Sequence, residues 1–239
     1  SEPSMEVSKG LVKMTVEPEL EHIRPVVVGA VVRGINISGD AEEKDAFIKT
    51  LMDHQEKLHF ALGRGRHTAS IGVHDLSTIS PPFKVQAVAA DTRFCPLGME
   101  EEMSLEEILK SHPKGVEYAH LLEGMSLYPI ITDSEHQVLS FPPIINGVQT
   151  TVTHSTTDFF IEVTGWDRRA CESSMMLIAL QLAERGGTIE SIEVNGFNGR
   201  SESLPRPEPI HHEVTQRLPD GLLGRSLTDE EIGTATNRM

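Results

Sequence analysis

The chain has 239 residues, 38% of them hydrophobic and only 5% aromatic, which suits one large aliphatic-cored domain with or without an appendage. Its formal net charge is -15, a field that repels polyanions at long range and argues against a general nucleic-acid binder. No apolar run approaches the ~20 residues of a membrane span, and the polar, acidic start is no signal peptide. A soluble, cytoplasmic protein is the expectation, with Cys95 and Cys171 as isolated thiols outside any metal-ligand spacing.

Residues 1–22 begin polar and acidic, carry a weak alternation over Leu11-Val12-Lys13-Met14-Thr15-Val16, and are read as an N-terminal extension. After Pro25, the β-branched run from Val26 to Val32 predicts a buried strand. Asp40 with Glu43 three residues on forms a capping-box pattern, and Phe47, Leu51, His54 and Leu58 recur at helical spacing, so 41–62 reads as an amphipathic helix closed by Gly63-Arg64-Gly65-Arg66. A strand over Ala69–Val73 leads to His74-Asp75, and Ser80-Pro81-Pro82 interrupts the chain before a strand over Phe83–Ala89. Ser104 and Glu107 predict a capped helix to Ser111, and strands near Pro129–Ile131 and Gln137–Ser140 flank a hairpin turn at Asp133–His136. The segment Phe141-Pro142-Pro143-Ile144-Ile145-Asn146-Gly147 must be a rigid extended loop, because two prolines cannot donate to a ladder. A further strand covers Phe159–Gly165, the strongest helix runs from Asp167 to Arg185, and a last core strand spans Thr188–Val194. Read from the residues alone, these elements give an α/β protein over 23–196 with one candidate small-molecule pocket. Prolines at 205, 207 and 209 mark a linker over 197–217, and 218–239 reads as the truncated start of a following domain with a capped helix near Thr228.

The chain carries none of the standard phosphate-loop, dinucleotide or metalloprotease spacings, and its 11 histidines form no metal pattern, so no metal is expected. Arg64 and Arg66 bracket Gly65, where they serve either a phosphate or a solvated helix cap. His74-Asp75 suggests an acid–base pair, but neighbouring strand residues face opposite ways, which equally favours Asp75 as a turn cap. Glu162 and Thr164 lie two apart on a predicted strand and so share a face, where a carboxylate beside a hydroxyl could read a polar group such as a phenol; a solvent-facing pair is the alternative. The proline loop beside them can hold backbone groups in fixed directions for a small ligand, or simply bend the chain.

Several collinear segments resemble the β subunit of archaeal and eukaryotic phenylalanyl-tRNA synthetases. They include Ile23-Arg24-Pro25, Gln55-Glu56-Lys57-Leu58-His59, Ile71-Gly72-Val73-His74-Asp75-Leu76 and Tyr128-Pro129. The most specific are Val138 through Gly147 and Phe160-Ile161-Glu162-Val163-Thr164-Gly165, and the match runs over roughly 20–195. The resemblance implies an α+β fold over 23–196, a mixed and largely antiparallel sheet flanked by helices, that serves as an editing module hydrolysing tyrosine wrongly esterified to tRNA(Phe), with 218–239 entering a small winged, DNA-binding-like domain. Such a module is needed because a pocket shaped for phenylalanine cannot strongly reject an analogue that adds one hydroxyl.

By the same resemblance, Leu139, Ser140, Glu162 and Thr164 would form the tyrosine pocket. Backbone near Asn146, Gly147 or Gly72 would orient the ester and water, His59 and His74 are candidate acid–base groups, and Arg64 and Arg66 would contact tRNA. It implies a partner α subunit in a heterotetramer of two α and two β chains, no cofactor for editing, and ATP with Mg2+ used elsewhere in the intact enzyme. The acidic charge would then reflect a salt-adapted host or basic surfaces elsewhere in the assembly. Alternatives are a non-catalytic structural or RNA-binding module and a free-standing hydrolase of aminoacyl substrates. The sequence departs from the family at Phe60, where tryptophan is frequent, at the diluted basic cluster Arg66-His67-Thr68, and at Trp166, where threonine is common.

Overall fold

The structure, a computed structural model, describes residues 6–37, 39–197, 199–206, 220–221 and 223–236. The chain divides into a large unit, Glu6–Pro207, and a small one that includes Glu208–Met239.

The large unit has the expected α+β architecture. Its strands in chain order are β1 (Val7–Val16), β2 (Val26–Arg33), β3 (Ala69–Asp75), β4 (Phe83–Val88), β5 (Arg93–Phe94), β6 (Met103–Ser104), β7 (Tyr128–Thr132), β8 (Val138–Phe141), β9 (Ile145–Asn146), β10 (Phe159–Gly165), β11 (Thr188–Asn195) and β12 (Ser201–Leu204). Among the described residues, ten of these form one sheet in the order β3-β10-β2-β11-β1-β4-β7-β8-β9, with β12 beside β11, while β5 and β6 pair separately. Pairing is antiparallel except where β1 lies parallel to both β11 and β4. The helices are α1 (Ala41–Phe60), α2 (Leu105–Ser111), α3 (Pro113–Tyr118) and α4 (Arg168–Ala183).

The sheet curls so that Ile131 and Leu139, near its far end, share one core with Val28, Val31 and Val32 of β2 and with Cys171, Met175 and Ile178 of α4. Strand β2 is apolar on both faces because both are covered, as its unbroken β-branched run requires. A smaller core under α2 gathers Phe94, Leu105, Ile108, Phe141 and Ile144.

Local signals set the helix starts. Asp40 and Glu43 exchange reciprocal 3.0 Å hydrogen bonds at α1, and Ser104 and Glu107 do the same at α2. On α1 the buried stripe is Phe47, Leu51, Gln55 and Leu58, so Gln55 faces inward where the periodicity placed His54; His54 instead bonds Gln181. In the small unit, Thr228 and Glu231 make the same reciprocal cap for the helix Asp229–Thr236.

Two domain limits differ from the sequence reading. Residues 1–22 are not all extension: β1 occupies a central position in the sheet, and its Val12, Met14 and Val16 face the core while the intervening side chains are exposed. The linker expected at 197–217 begins late, because Ser201–Leu204 pairs antiparallel with Ile192–Asn195 and fills the edge that β2 leaves when it diverges. The remainder of that linker, 207–217, lies outside the described residues, as does Leu222.

Met14 is 0% exposed at the centre of the core. Met14→Ala is therefore expected to lower unfolding free energy by about 2–5 kcal/mol in a urea titration; a loss below about 0.5 kcal/mol would mean that β1 is the dispensable extension read from sequence.

Candidate functional site

The register of two strands creates the site. In the antiparallel pair β3–β10, Glu162 lies opposite Gly72, and Thr164 opposite Ser70. A Cβ on Gly72 would come within 2.3 Å of the Glu162 Oε1 and 2.7 Å of the His74 Nε2. Glycine there is the condition for a carboxylate and an imidazole to approach the strand.

Glu162 is 2% exposed. Its Oε1 accepts a 3.0 Å hydrogen bond from the Ser140 hydroxyl and lies 3.8 Å from the His74 Nε2, whereas its Oε2 is buried with no hydrogen-bond partner. An unpartnered carboxylate oxygen out of water lacks about 1–3 kcal/mol or more of hydrogen bonding. Glu162 lines a recess of about 180 Å³, walled also by Gln55, Glu56 and His59 of α1, Ser70 and Ile71 of β3, and the bend from Ser140 to Asn146. That volume is below the ~300–1,000 Å³ of pockets for drug-sized ligands and suits one amino-acid side chain.

Two buried arginines hold the frame. Arg66 donates to the carbonyls of Pro143 (3.2 Å) and Ile144 (2.9 Å), pairs with Glu56 at 2.5 Å, and stacks 4.3 Å over Tyr118 of α3. It thus ties the proline bend to two helices. The run Arg64-Gly65-Arg66 is left-handed at φ 47°, 64° and 68°, a backbone that costs a non-glycine residue about 1–3 kcal/mol and that the Arg66 contacts offset. Arg24 lies behind the recess, donating to the Thr164 hydroxyl (2.9 Å), the Thr164 carbonyl (2.5 Å), the Ser70 hydroxyl (3.2 Å) and the Arg66 carbonyl (3.3 Å). Burial lowers its pKa to about 10, against the opposing pull of Cys171 and Glu162, so it stays cationic at neutral pH.

The edge of the sheet is closed by side chains rather than by another strand. The Ile71 amide donates to the His59 Nε2 at 2.8 Å, and the Gln55 amide donates to the Ile71 carbonyl at 2.7 Å. Because the His59 Nε2 accepts, its proton sits on Nδ1, 3.5 Å from Glu56. Burial pushes the His59 pKa down, and Glu56 only partly opposes this. The Glu56 carboxyl is held at about 2 by the His59 imidazole and then by Arg66, with burial acting the other way.

The expected site residues divide cleanly. Ser140, Asn146, Glu162, His59 and Arg66 line the recess. Thr164 lies behind it as the anchor for Arg24, and Leu139 points its side chain into the main core. The Gly147 amide is committed to the Leu139 carbonyl at 2.7 Å. His74 is fully buried, with Nδ1 on the Thr150 hydroxyl at 2.8 Å, and stacks on Phe160. Asp75 is no partner for it, since its carboxylate caps the following turn through Ser77 and binds Thr156. Arg66, expected to meet tRNA, is inside, and Arg64 opens onto a different groove. Sequence reasoning passed over Arg24, Gln55 and Ser70 as site residues; the placement of Arg24 immediately before a fully apolar strand was the available signal. Among the described residues no three metal-ligating side chains cluster, and no helix is long and apolar enough to cross a membrane.

Residues 24–190 match the family described as the B3/4 domain. The chain is similar to the phenylalanine–tRNA ligase β subunit of Methanococcoides burtonii, at 47% identity over 234 residues that cover 98% of this chain and 42% of that protein. Against the corresponding subunit of Archaeoglobus fulgidus, identity is 44% over 231 residues, covering 97% and 41%. Among solved structures, an N-terminal fragment of the phenylalanyl-tRNA synthetase β subunit from Pyrococcus horikoshii superposes with a TM-score of 0.89 at 38% identity, covering 97% of this chain and 65% of the fragment. The chain spans about two fifths of the length of the curated relatives it matches.

The buried, neutral His59 makes a test of the closed edge. Its folded pKa lies below its ordinary value of 6.5, so its contribution to stability is full above that value and is lost as pH falls beneath it. Between about pH 7.5 and about pH 5.5, the wild-type urea midpoint should fall further than that of His59→Gln. Parallel curves would show that His59 is solvated.

Proposed function

The chain belongs to the B3/4 family and, within it, to the phenylalanine–tRNA ligase β subunits, and we propose that this part of the subunit proofreads by hydrolysing tyrosine wrongly attached to tRNA(Phe). The observation that carries the reading is the buried, unpartnered Oε2 of Glu162, a residue that lines the recess. A phenol entering the recess would donate to that oxygen. Phenylalanine would leave it desolvated and unpaired, and a site that needs a donor discriminates strongly against an analogue lacking one. A non-catalytic scaffold gives no reason to keep such an atom unsatisfied.

The serines at the recess are both engaged, Ser140 with Glu162 and Ser70 with Arg24. The ester is therefore attacked by water rather than by a protein nucleophile. The Asn146 side-chain amide, whose Nδ2 has only a long 3.5 Å contact to the Val73 carbonyl, is the donor free to turn toward the ester oxygen as negative charge develops there. Hydrolysis on this scheme uses no cofactor. ATP and Mg2+ belong to the synthetase's aminoacylation site on the partner α subunit, and the setting is the cytoplasm.

Deacylation of Tyr-tRNA(Phe) tests the assignment. Glu162→Ala should slow tyrosine release on the order of tenfold to a hundredfold, the equivalent of one charge-assisted hydrogen bond. Release by the wild-type chain at only the spontaneous rate, or full activity in Glu162→Ala, would remove proofreading from this recess.

A further inference from the structure

The sheet forks on the side away from β3, and the fork opens a groove that shares no lining residue with the recess. Strand β11 pairs with β2 only from Thr188 to Ser191. From Ile192 to Asn195 its partner is β12, while Val26–Gly29 of β2 pair with β10 alone. Among the described residues, the edge of β2 over Val26–Gly29 that turns away from β10 has no strand partner, and neither does the edge of β12 that turns away from β11. Val26 and Val27 of β2 and Ser201 and Glu202 of β12 line the groove between these strands. Its volume is about 430 Å³, inside the ~300–1,000 Å³ range of ligand clefts.

The lining joins aliphatic groups to cations. Val26 and Phe197 are half-buried hydrophobic residues packed against the main core. Three arginines, Arg168, Arg200 and Arg206, line the groove with a single carboxylate, Glu202. On a chain of net charge -15 that excess is a local positive field. The structure also shows what such a cluster holds. The Glu202 carboxylate, carried on a strand, accepts from Arg168 at 2.6 Å and lies 3.5 Å from Arg206. Arg206 has a side chain 62% exposed, and a guanidinium carries five N–H donors. A second carboxylate can therefore join these arginines without displacing Glu202.

We propose that this groove binds an extended acidic segment of another polypeptide, laid along β12 as an added strand. Apolar side chains at alternate positions would cover Val26, Val27 and Phe197, and the intervening carboxylates would meet the arginines. Side chains alternate between the two faces of a strand, so one extended segment can present both chemistries at once. Strand addition draws affinity from main-chain hydrogen bonds and selectivity from the alternate side chains. A nucleic-acid backbone supplies the charge but neither the aliphatic groups nor the amides that a strand edge pairs with. Glu202 is the internal precedent, a strand carboxylate already seated between two of the three guanidinium groups.

Fluorescence anisotropy with a labelled, end-blocked Glu-Val-Glu-Val-Glu peptide tests the groove. The peptide should bind the chain saturably. Lys-Val-Lys-Val-Lys should bind at least roughly tenfold more weakly for want of charge, and Glu-Ser-Glu-Ser-Glu for want of apolar burial. Arg206→Glu should weaken the acidic peptide roughly tenfold, with Arg206→Lys restoring most of the affinity. N-methylation supplies the readout for an added strand, because alternate amides point to opposite edges. Methylating either the valine amides or the glutamate amides should abolish binding, while methylating the other set should spare it. No saturable binding, equal binding of the lysine or serine peptide, unchanged affinity in Arg206→Glu, or equal effects of the two methylation patterns would each overturn the proposal. Displacement of the acidic peptide by single-stranded RNA at equal or lower concentration would overturn it as well.

Discussion

A carboxylate withdrawn from water is the constraint around which this domain is arranged. Moving such a group into the interior costs several kcal/mol even after relaxation, unless donors and countercharge are supplied. For Glu162 they come from separated stretches of chain: the Ser140 hydroxyl from β8, the room left by Gly72 on β3, and the more distant positive charge of Arg24 before β2. A sheet that brings β3, β10 and β2 side by side, and then curls until β8 reaches β10, satisfies all of these together. One oxygen is left over without a hydrogen-bond partner.

The two arginines solve a second problem, which is how a loop keeps its shape beside an empty space. Pro142 and Pro143 remove backbone donors from the bend, so the carbonyls of Pro143 and Ile144 need donors from elsewhere. The forked guanidinium of Arg66 meets both at once while pairing with Glu56, which lysine's single ammonium could not do in one plane. Arg24 plays the corresponding part behind the sheet, joining Thr164, Ser70 and the Arg66 carbonyl. The fold invests rigid polar struts where a wholly apolar core would have no direction.

Much of this architecture was readable from residue order. The β-branched run of β2, the capping boxes at Asp40 and Ser104, and the alternating face shared by Glu162 and Thr164 are local signals, and the structure places each of them close to where spacing did. What stayed hidden depends on partners remote in sequence. Strand β1 shows only half its side chains to the core, and β12 is the polar stretch Ser-Glu-Ser-Leu, so both are strands because β11 offers them an edge. Arg66 read as a phosphate contact or a solvated cap and Arg24 passed unremarked, since a long cation is normally solvated and nothing nearby announces the carbonyls that draw them inside. The division between Ser140, which faces the recess, and Leu139, which does not, needed the register of β8. The resemblance named residues from several strands and loops, and spacing alone could not say which of them touch.

The edge strand β3 has one more implication. An open strand edge is a template for any passing chain, and proteins usually blunt it with charge, prolines or a covering element. Here His59 and Gln55 occupy the Ile71 amide and carbonyl, and Asn146 makes a long contact to the Val73 carbonyl, so one wall of the recess doubles as a seal against sticking. Loss of the last two turns of α1, during synthesis or under heat, would bare the cavity and the edge of a seven-residue buried strand in the same event. The shape of the recess and the solubility of the chain are thus coupled in this helix, and lesions along it would surface as precipitates.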